Sequence, residues 1–171
     1  GFQHAERIVL PDGSIRWLET RGMAVRSADG RVTGLIGTCR DVTEERRLQD
    51  LREGEQRVLE MLATDAPLGL ALEALVRLIE SQAPGMVGSV VLLEDGKRLR
   101  HGAAPNLPPA FLQAIDGLAI GPGRGSCGSA AYYRRPVVVA DIETHPLWDD
   151  YRDLALSHGL RACWSVPIFA N

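Results

Sequence analysis

A cysteine set among glycines is the first feature with chemical potential. Gly123-Arg124-Gly125-Ser126-Cys127-Gly128 fits G-x-G-x-x-G, the pattern whose backbone N–H groups cradle a dinucleotide pyrophosphate. That chemistry needs a strand before the glycines, a full helix after them and an acidic residue about 20 positions on. The chain offers only a short helix after Gly128, and no Lys follows as a phosphate loop requires. The segment is therefore read as a tight reversal into a helix, with Gly supplying the backbone angles. Cys127 falls near the start of that helix, where the dipole lowers a thiol pKa and makes a nucleophile; its other role is packing. Cys163, between Ala162 and Trp164, and Cys39 are expected to be packing residues. No Cys pair has C-x-x-C spacing, and His4, His101, His145 and His158 do not fall at metal-site intervals, so no metal site is expected. Asp141, just after an apolar strand, is either a turn cap or a polar group at a pocket mouth. Arg161 and Trp164 either line a pocket or pack. No catalytic nucleophile motif stands out, since Gly125 and Gly128 are not at the G-x-S-x-G spacing.

Three stretches of different texture must position these residues. Residues 1–43 read as a β-meander: Ile8 to Leu10, a turn at Pro11-Asp12-Gly13-Ser14, Ile15 to Arg26, a turn at Ser27-Ala28-Asp29-Gly30, then Val32 to Val42. Such a short sheet rarely stabilises itself, so it is expected to belong to a larger domain or to lean on a partner. Residues 44–64 read as a helix, with Thr43 as its N-cap and Glu44 and Glu45 at the positive end of its dipole. Leu48, Leu51, Glu55, Val58 and Leu62 alternate in spacings of three and four, a heptad seam with one polar position. That stripe either packs on its own domain or pairs with a second copy of the chain.

Residues 65–171 read as an α+β domain. Asp65-Ala66-Pro67 opens a helix whose stripe is Leu68, Leu72, Leu75, Val76 and Ile79. Strands are predicted over Met86 to Leu93 and Arg98 to Ala103, with a short helix from Pro108 to Asp116. The glycine loop leads to a helix ending near Arg134. A buried strand follows at Val137 to Ala140, then a helix from Tyr151 to Ser157 and a last strand from Leu160 to Phe169.

Composition narrows the partners. The 171 residues are 45% apolar and 24% charged, which excludes wholesale disorder. A net charge of −3 provides no basic field for nucleic acid or anionic lipid. The longest apolar runs fall far short of a bilayer span, and Glu6 and Arg7 interrupt any signal peptide. Three scattered Cys fit a reducing cytosol, so a cytoplasmic location is expected.

Two stretches carry a family resemblance. Arg7 to Trp17 (RIVLPDGSIRW) and Gly34 to Glu44 (GLIGTCRDVTE) resemble the C-terminal half of a PAS domain, the PAC motif. Asp41, Thr43 and Glu44 belong to that family's usual exit into a signalling helix. From about Glu55 the chain resembles the GAF domains of bacterial sensor proteins. The carriers are Ile120 to Ala131 (IGPGRGSCGSAA), Val137 to Ile142, Pro146-Leu147-Trp148 and Gly159 to Ile168 (GLRACWSVPI). The resemblance implies that both domains are truncated, the GAF part lacking two strands and a helix. It also places Trp148 with Cys127, Asp141, Arg161 and Trp164 at a ligand pocket.

The resemblance implies a sensory region without catalytic activity, which takes a small ligand or partner and relays it through a homodimeric helix. The output module would be of the cyclic-di-GMP or histidine-kinase type. The ligand and any cofactor are unnamed by the sequence. An enzymatic alternative comes from the segment around Cys127, which is similar to one in the free methionine sulfoxide reductases. Those also require a Cys in the loop that here spans Ile142 to Asp150 and holds none. Bilin attachment is unsupported, since neither Cys127 nor Cys163 is followed by His.

Overall fold

The computed structural model describes residues 1–169. The chain forms two compact units, one over Gly1–Arg57 and one from Val58 onward, and its class is α+β.

The first unit is an antiparallel meander of β1 (Phe2–Val9), β2 (Ile15–Arg26) and β3 (Val32–Asp41). β1 begins six residues before the Ile8 of the sequence reading, because pairing with β2 continues to Phe2 opposite Gly22. Gly22 leaves room for the Phe2 ring, which stands 2.5 Å from where a Cβ would lie. Both turns are closed by Asp carboxylates. Asp12 accepts from the Ser14 N–H at 2.9 Å, and Asp29 accepts from the Ser27 hydroxyl.

β3 passes directly into α1 (Thr43–Ala63), one unbroken helix of 21 residues. Its entry is interlocked with β2. The Thr43 hydroxyl accepts from the Trp17 N–H at 2.8 Å and donates to Asp41 Oδ1 at 2.5 Å. Asp41 Oδ1 also accepts from the Thr43 N–H at 2.9 Å. Thr43 is therefore not the cap that the sequence suggests. Its hydroxyl is consumed by the strand, and the carboxylate two residues earlier serves the helix start instead. Arg46 stacks over the Trp17 ring at 4.2 Å. Along the helix, Leu51 and Val58 are half-buried, while Leu48, Glu55 and Leu62 are exposed.

The second unit opens with α2 (Leu68–Ser81). Pro67 lies just outside it and offers its carbonyl to Leu70 and Ala71. Ala71 and Val76 are buried, whereas Leu68 and Ile79 of the expected stripe are exposed. The hairpin of β4 (Val90–Glu94) and β5 (Arg98–Ala103) follows. β4 starts at Val90 and not at Met86. Gly85 and Gly88 break the run, and the Gly88 N–H goes to the Glu80 carboxylate at 2.8 Å rather than to a strand. The 117–120 segment bonds along the free edge of β5, with Leu99 N–H to Leu118 O at 2.8 Å and Ile120 N–H to Lys97 O at 2.9 Å.

Next come α3 (Pro109–Ile115), α4 (Gly125–Tyr133), β6 (Val137–Val139), a 3-10 turn (Pro146–Trp148), α5 (Arg152–Ser157) and β7 (Cys163–Ser165). β6 and β7 pair antiparallel over three residues each. The last strand is thus far shorter than the expected Leu160 to Phe169; beyond Ser165, Pro136 opposite Val166 and Pro167 itself cannot donate to the ladder. Nor is β6 buried throughout: Val139 is 1% exposed, but Val138 on the other face is 71% exposed. The core joins Phe111, Val139, Ile142, Trp148 and Ala155.

Replacing Thr43 by Val keeps the shape but removes the hydroxyl, leaving the Trp17 N–H without its acceptor. We expect a loss of about 1–2 kcal/mol at this junction, read as faster hydrogen exchange of the Trp17 amide. Hydrogen bonds from Thr43 hold the Asp41 carboxyl below its ordinary 3.8. A depressed carboxylate stabilises the fold above pH 3.8 and stops doing so as pH falls through the lower folded value. The exchange rate of the Trp17 amide should therefore rise in that acid range in the native chain, and the Thr43→Val variant should lack much of that dependence.

Candidate functional site

Two turns and a strand converge on the first turn of α4. Gly125 opens the helix with φ of +61°, a left-handed conformation that favours glycine, so the helix starts inside the glycine run and not after it. Ser126, Cys127, Gly128 and Ser129 thereby become helical. Ser126 and Ser129 are 1% and 0% exposed. The Ser126 hydroxyl accepts from the Trp148 indole N–H at 3.1 Å, and the Ser129 hydroxyl donates to the Gly121 carbonyl at 3.4 Å. Trp148 is 7% exposed and sits in the core, so it clamps the 3-10 turn against α4.

β7 completes the cluster through its period-two alternation. Cys163 and Ser165 share one face, opposite Val139 and Val137, and Trp164 points the other way. The Ser165 hydroxyl lies 3.0 Å from the Cys127 sulfur and 4.0 Å from the Cys163 sulfur. The two thiols act on each other's ionisation across this shared hydroxyl. This sharing pulls Cys163 down to about 6 from 9.0, with help from the hydroxyls of Ser126 and Ser165. The same contact, together with burial, pushes Cys127 well above 9.0. The pair thus releases its first proton readily and its second with difficulty. The helix terminus left Cys127 either a reactive thiol or a packing residue; its neighbours in the structure favour ionisation at Cys163 instead.

The other sequence-derived pocket residues lie apart. Asp141 caps a turn, accepting from the Glu143 N–H at 3.0 Å and the Thr144 hydroxyl at 2.7 Å. Those bonds, the Thr144 one foremost, hold its carboxyl below 3.8. Arg161 pairs with Glu143 at 3.8 Å, with both side chains exposed, and Trp164 is 60% exposed. Cys127 and Trp148 are the two that the fold brings to one place, through α4. The partners that sequence reasoning missed are Ser126, Cys163 and Ser165. Their signal was the alternation Cys163-x-Ser165, hidden by the expectation of an inert apolar strand.

A cavity of about 210 Å³ lies elsewhere, at the junction of α2 and the end of β5. Gly69, Glu73, Arg77, His101 and Gly102 are among its lining residues. Among the described residues, no group of three or more His, Cys, Asp or Glu is arranged to hold a metal ion. No helix among them is long and apolar enough to cross a membrane.

This arrangement, a glycine-led helix packed on a short antiparallel pair with a capped turn between, defines a small α+β module. Residues 66–171 match the GAF domain, and the chain belongs to that family. Residues 2–47 match the PAS fold, so a PAS segment precedes the GAF domain. The chain is also 33% identical over 171 residues to a methyl sulfide methyltransferase-associated sensor of Methanosarcina acetivorans. The alignment covers 99% of this chain and 17% of that relative's length.

Replacing Ser126 by Ala strands the buried indole N–H of Trp148. A loss of about 1–3 kcal/mol is expected in urea unfolding. Adding Trp148→Phe to Ser126→Ala should cost less than the sum of the two single changes, because the unpaired donor goes with the ring.

Proposed function

We propose that this chain is the sensory and regulatory region of a signal-transduction protein. It divides into a partial PAS segment (1–43), a connecting helix (44–64) and a GAF domain (65–171). The GAF domain takes a small ligand or partner, and occupancy favours one packing of its elements over another. The helix relays that bias by rotation or register against a second copy of the chain. The output is a cyclic-di-GMP or histidine-kinase module, and the protein works in the cytoplasm. Support for a sensory role comes from the PAS and GAF matches and from the sensor with which the chain aligns.

The observation that carries the relay is the entry of α1. A helix that leaves a sheet through three hydrogen bonds at Asp41, Thr43 and Trp17 has a fixed starting phase. A rotation imposed at one end of an unbroken helix of 21 residues is then felt at the other. Within the seam, Glu55 weakens pairing, which suits a device that changes state better than a permanent clamp. A reductase using Cys127 is less well supported, because burial and the Cys163 contact raise that thiol rather than activate it.

Cysteine crosslinking tests the homodimer. In a background where exposed Cys39 is replaced by Ser, Leu51→Cys and Val58→Cys should each give disulfide-linked dimers under mild oxidation. Glu53→Cys, about 200° around the helix from Leu51, should crosslink at least tenfold less. Equal crosslinking at all three positions, or none at any, would sink the helix relay.

A further inference from the structure

We propose that Cys127 and Cys163 form a redox couple that a hydroperoxide closes into an intrachain disulfide, stapling the first turn of α4 to β7. The geometry is specific to this pair. The sulfurs approach from two different elements and meet the same Ser165 hydroxyl, at 3.0 and 4.0 Å. They lie 36 positions apart in sequence, so a bond between them closes a long loop rather than a local one. The third thiol, Cys39, is in the other compact unit and is exposed. The consequence for signalling rests on the sensory reading above; the bond itself does not.

The two sulfurs have unequal tasks, and their surroundings divide them. Cys163 is the sulfur whose ionisation its neighbours favour, the Cys127 thiol first and then the Ser126 and Ser165 hydroxyls, which bring it down to about 6. Its sulfur attacks the terminal oxygen of the peroxide. An S–O bond forms, the O–O bond breaks, the other oxygen leaves as alkoxide (hydroxide in the case of hydrogen peroxide), and Cys163 becomes a sulfenic acid. Cys127 then gives its proton to that leaving group, making the alcohol or water. The Cys127 sulfur attacks the Cys163 sulfur, the S–O bond breaks, and hydroxide leaves and takes up a proton from solvent. Two thiols have lost two electrons and the peroxide has been reduced to water and its parent alcohol or second water. A small dithiol reductant reverses the bond by exchange.

The thiols stand on three different tryptic peptides: 32–40 holds Cys39, 125–134 holds Cys127 and 162–171 holds Cys163. The full chain is treated with hydrogen peroxide, blocked with iodoacetamide and digested without reduction. The expected result is a linked pair of peptides 125–134 and 162–171 that separates on dithiothreitol, with alkylatable thiols falling from three to one. Cys127→Ser should leave Cys163 as a sulfenic acid that dimedone labels, and Cys163→Ser should show at least tenfold less dimedone label at Cys127. The couple is overturned if peptides 125–134 and 162–171 stay fully alkylated, or carry separate sulfinic acids. Linkage of either to 32–40 overturns it as well. The peptide map of the unsubstituted chain decides the bond even if both variants fold poorly.

Discussion

Buried hydroxyl groups must be paired, and the described residues place their buried polar side chains where elements join. Thr43, Ser126 and Ser129 are the buried polar residues among them, and each is hydrogen-bonded across a junction. Thr43 ties a helix to the strand before it, Ser126 ties a helix to the turn that carries Trp148, and Ser129 ties the same helix to the preceding loop. No buried side-chain nitrogen or oxygen among the described residues lacks a partner. A hydroxyl costs little volume but about 1–3 kcal/mol when left unpaired in the interior. Small hydroxyls at junctions therefore fix where a helix starts, while the apolar residues around them fix only that it packs.

This division explains what the sequence disclosed. The meander was legible from its turns, because Asp12-Gly13 and Asp29-Gly30 dictate reversal locally. Helix α1 was legible from its charge pattern and from the acidic first turn. The glycine run was legible as a reversal into a helix, but its helix starts earlier than expected, since Gly125 itself takes the left-handed entry. Strand limits were not legible. β4 loses Met86 to Ser89 because Glu80 on α2, eight residues before Gly88, captures the Gly88 N–H. β7 loses its C-terminal end to two prolines that meet there, Pro136 opposite Val166 and Pro167 itself. The candidate site was half legible: Cys127 and Trp148 belong together, but the thiol chemistry lies with Cys163, and the side-chain sharing that puts it there is a long-range contact.

Two of the three sheets carry large apolar side chains on both faces. In the meander, Met23 faces Ile36 on one side while Ala24 faces Leu35 on the other, and Met23, Leu35 and Ile36 are 58%, 70% and 62% exposed. In the short pair, Val139 and Cys163 face α4, while Val138 and Trp164 face away, 71% and 60% exposed. A sheet with one wet face alternates apolar and polar residues; these do not. The period-two rule was sufficient to find the strands and insufficient to say which face is core, because neither face is polar enough to mark itself as the outer one.

Ser126 shows how few atoms link the thiol pair to the core. A hydroxyl has one proton to give and two lone pairs to receive with. Ser126 receives from the Trp148 indole at 3.1 Å, and its hydroxyl is among the groups that favour ionisation of the Cys163 sulfur. A thiolate at Cys163 is a strong acceptor and keeps that hydroxyl oriented; a neutral or disulfide sulfur is a weak one and lets it turn. Trp148 cannot follow, because its ring is packed against Phe111, Val139, Ile142 and Ala155. The charge on one sulfur is thus coupled to the orientation of one hydroxyl, between a rigid indole and the first turn of a helix, and the helix start is the element free to respond.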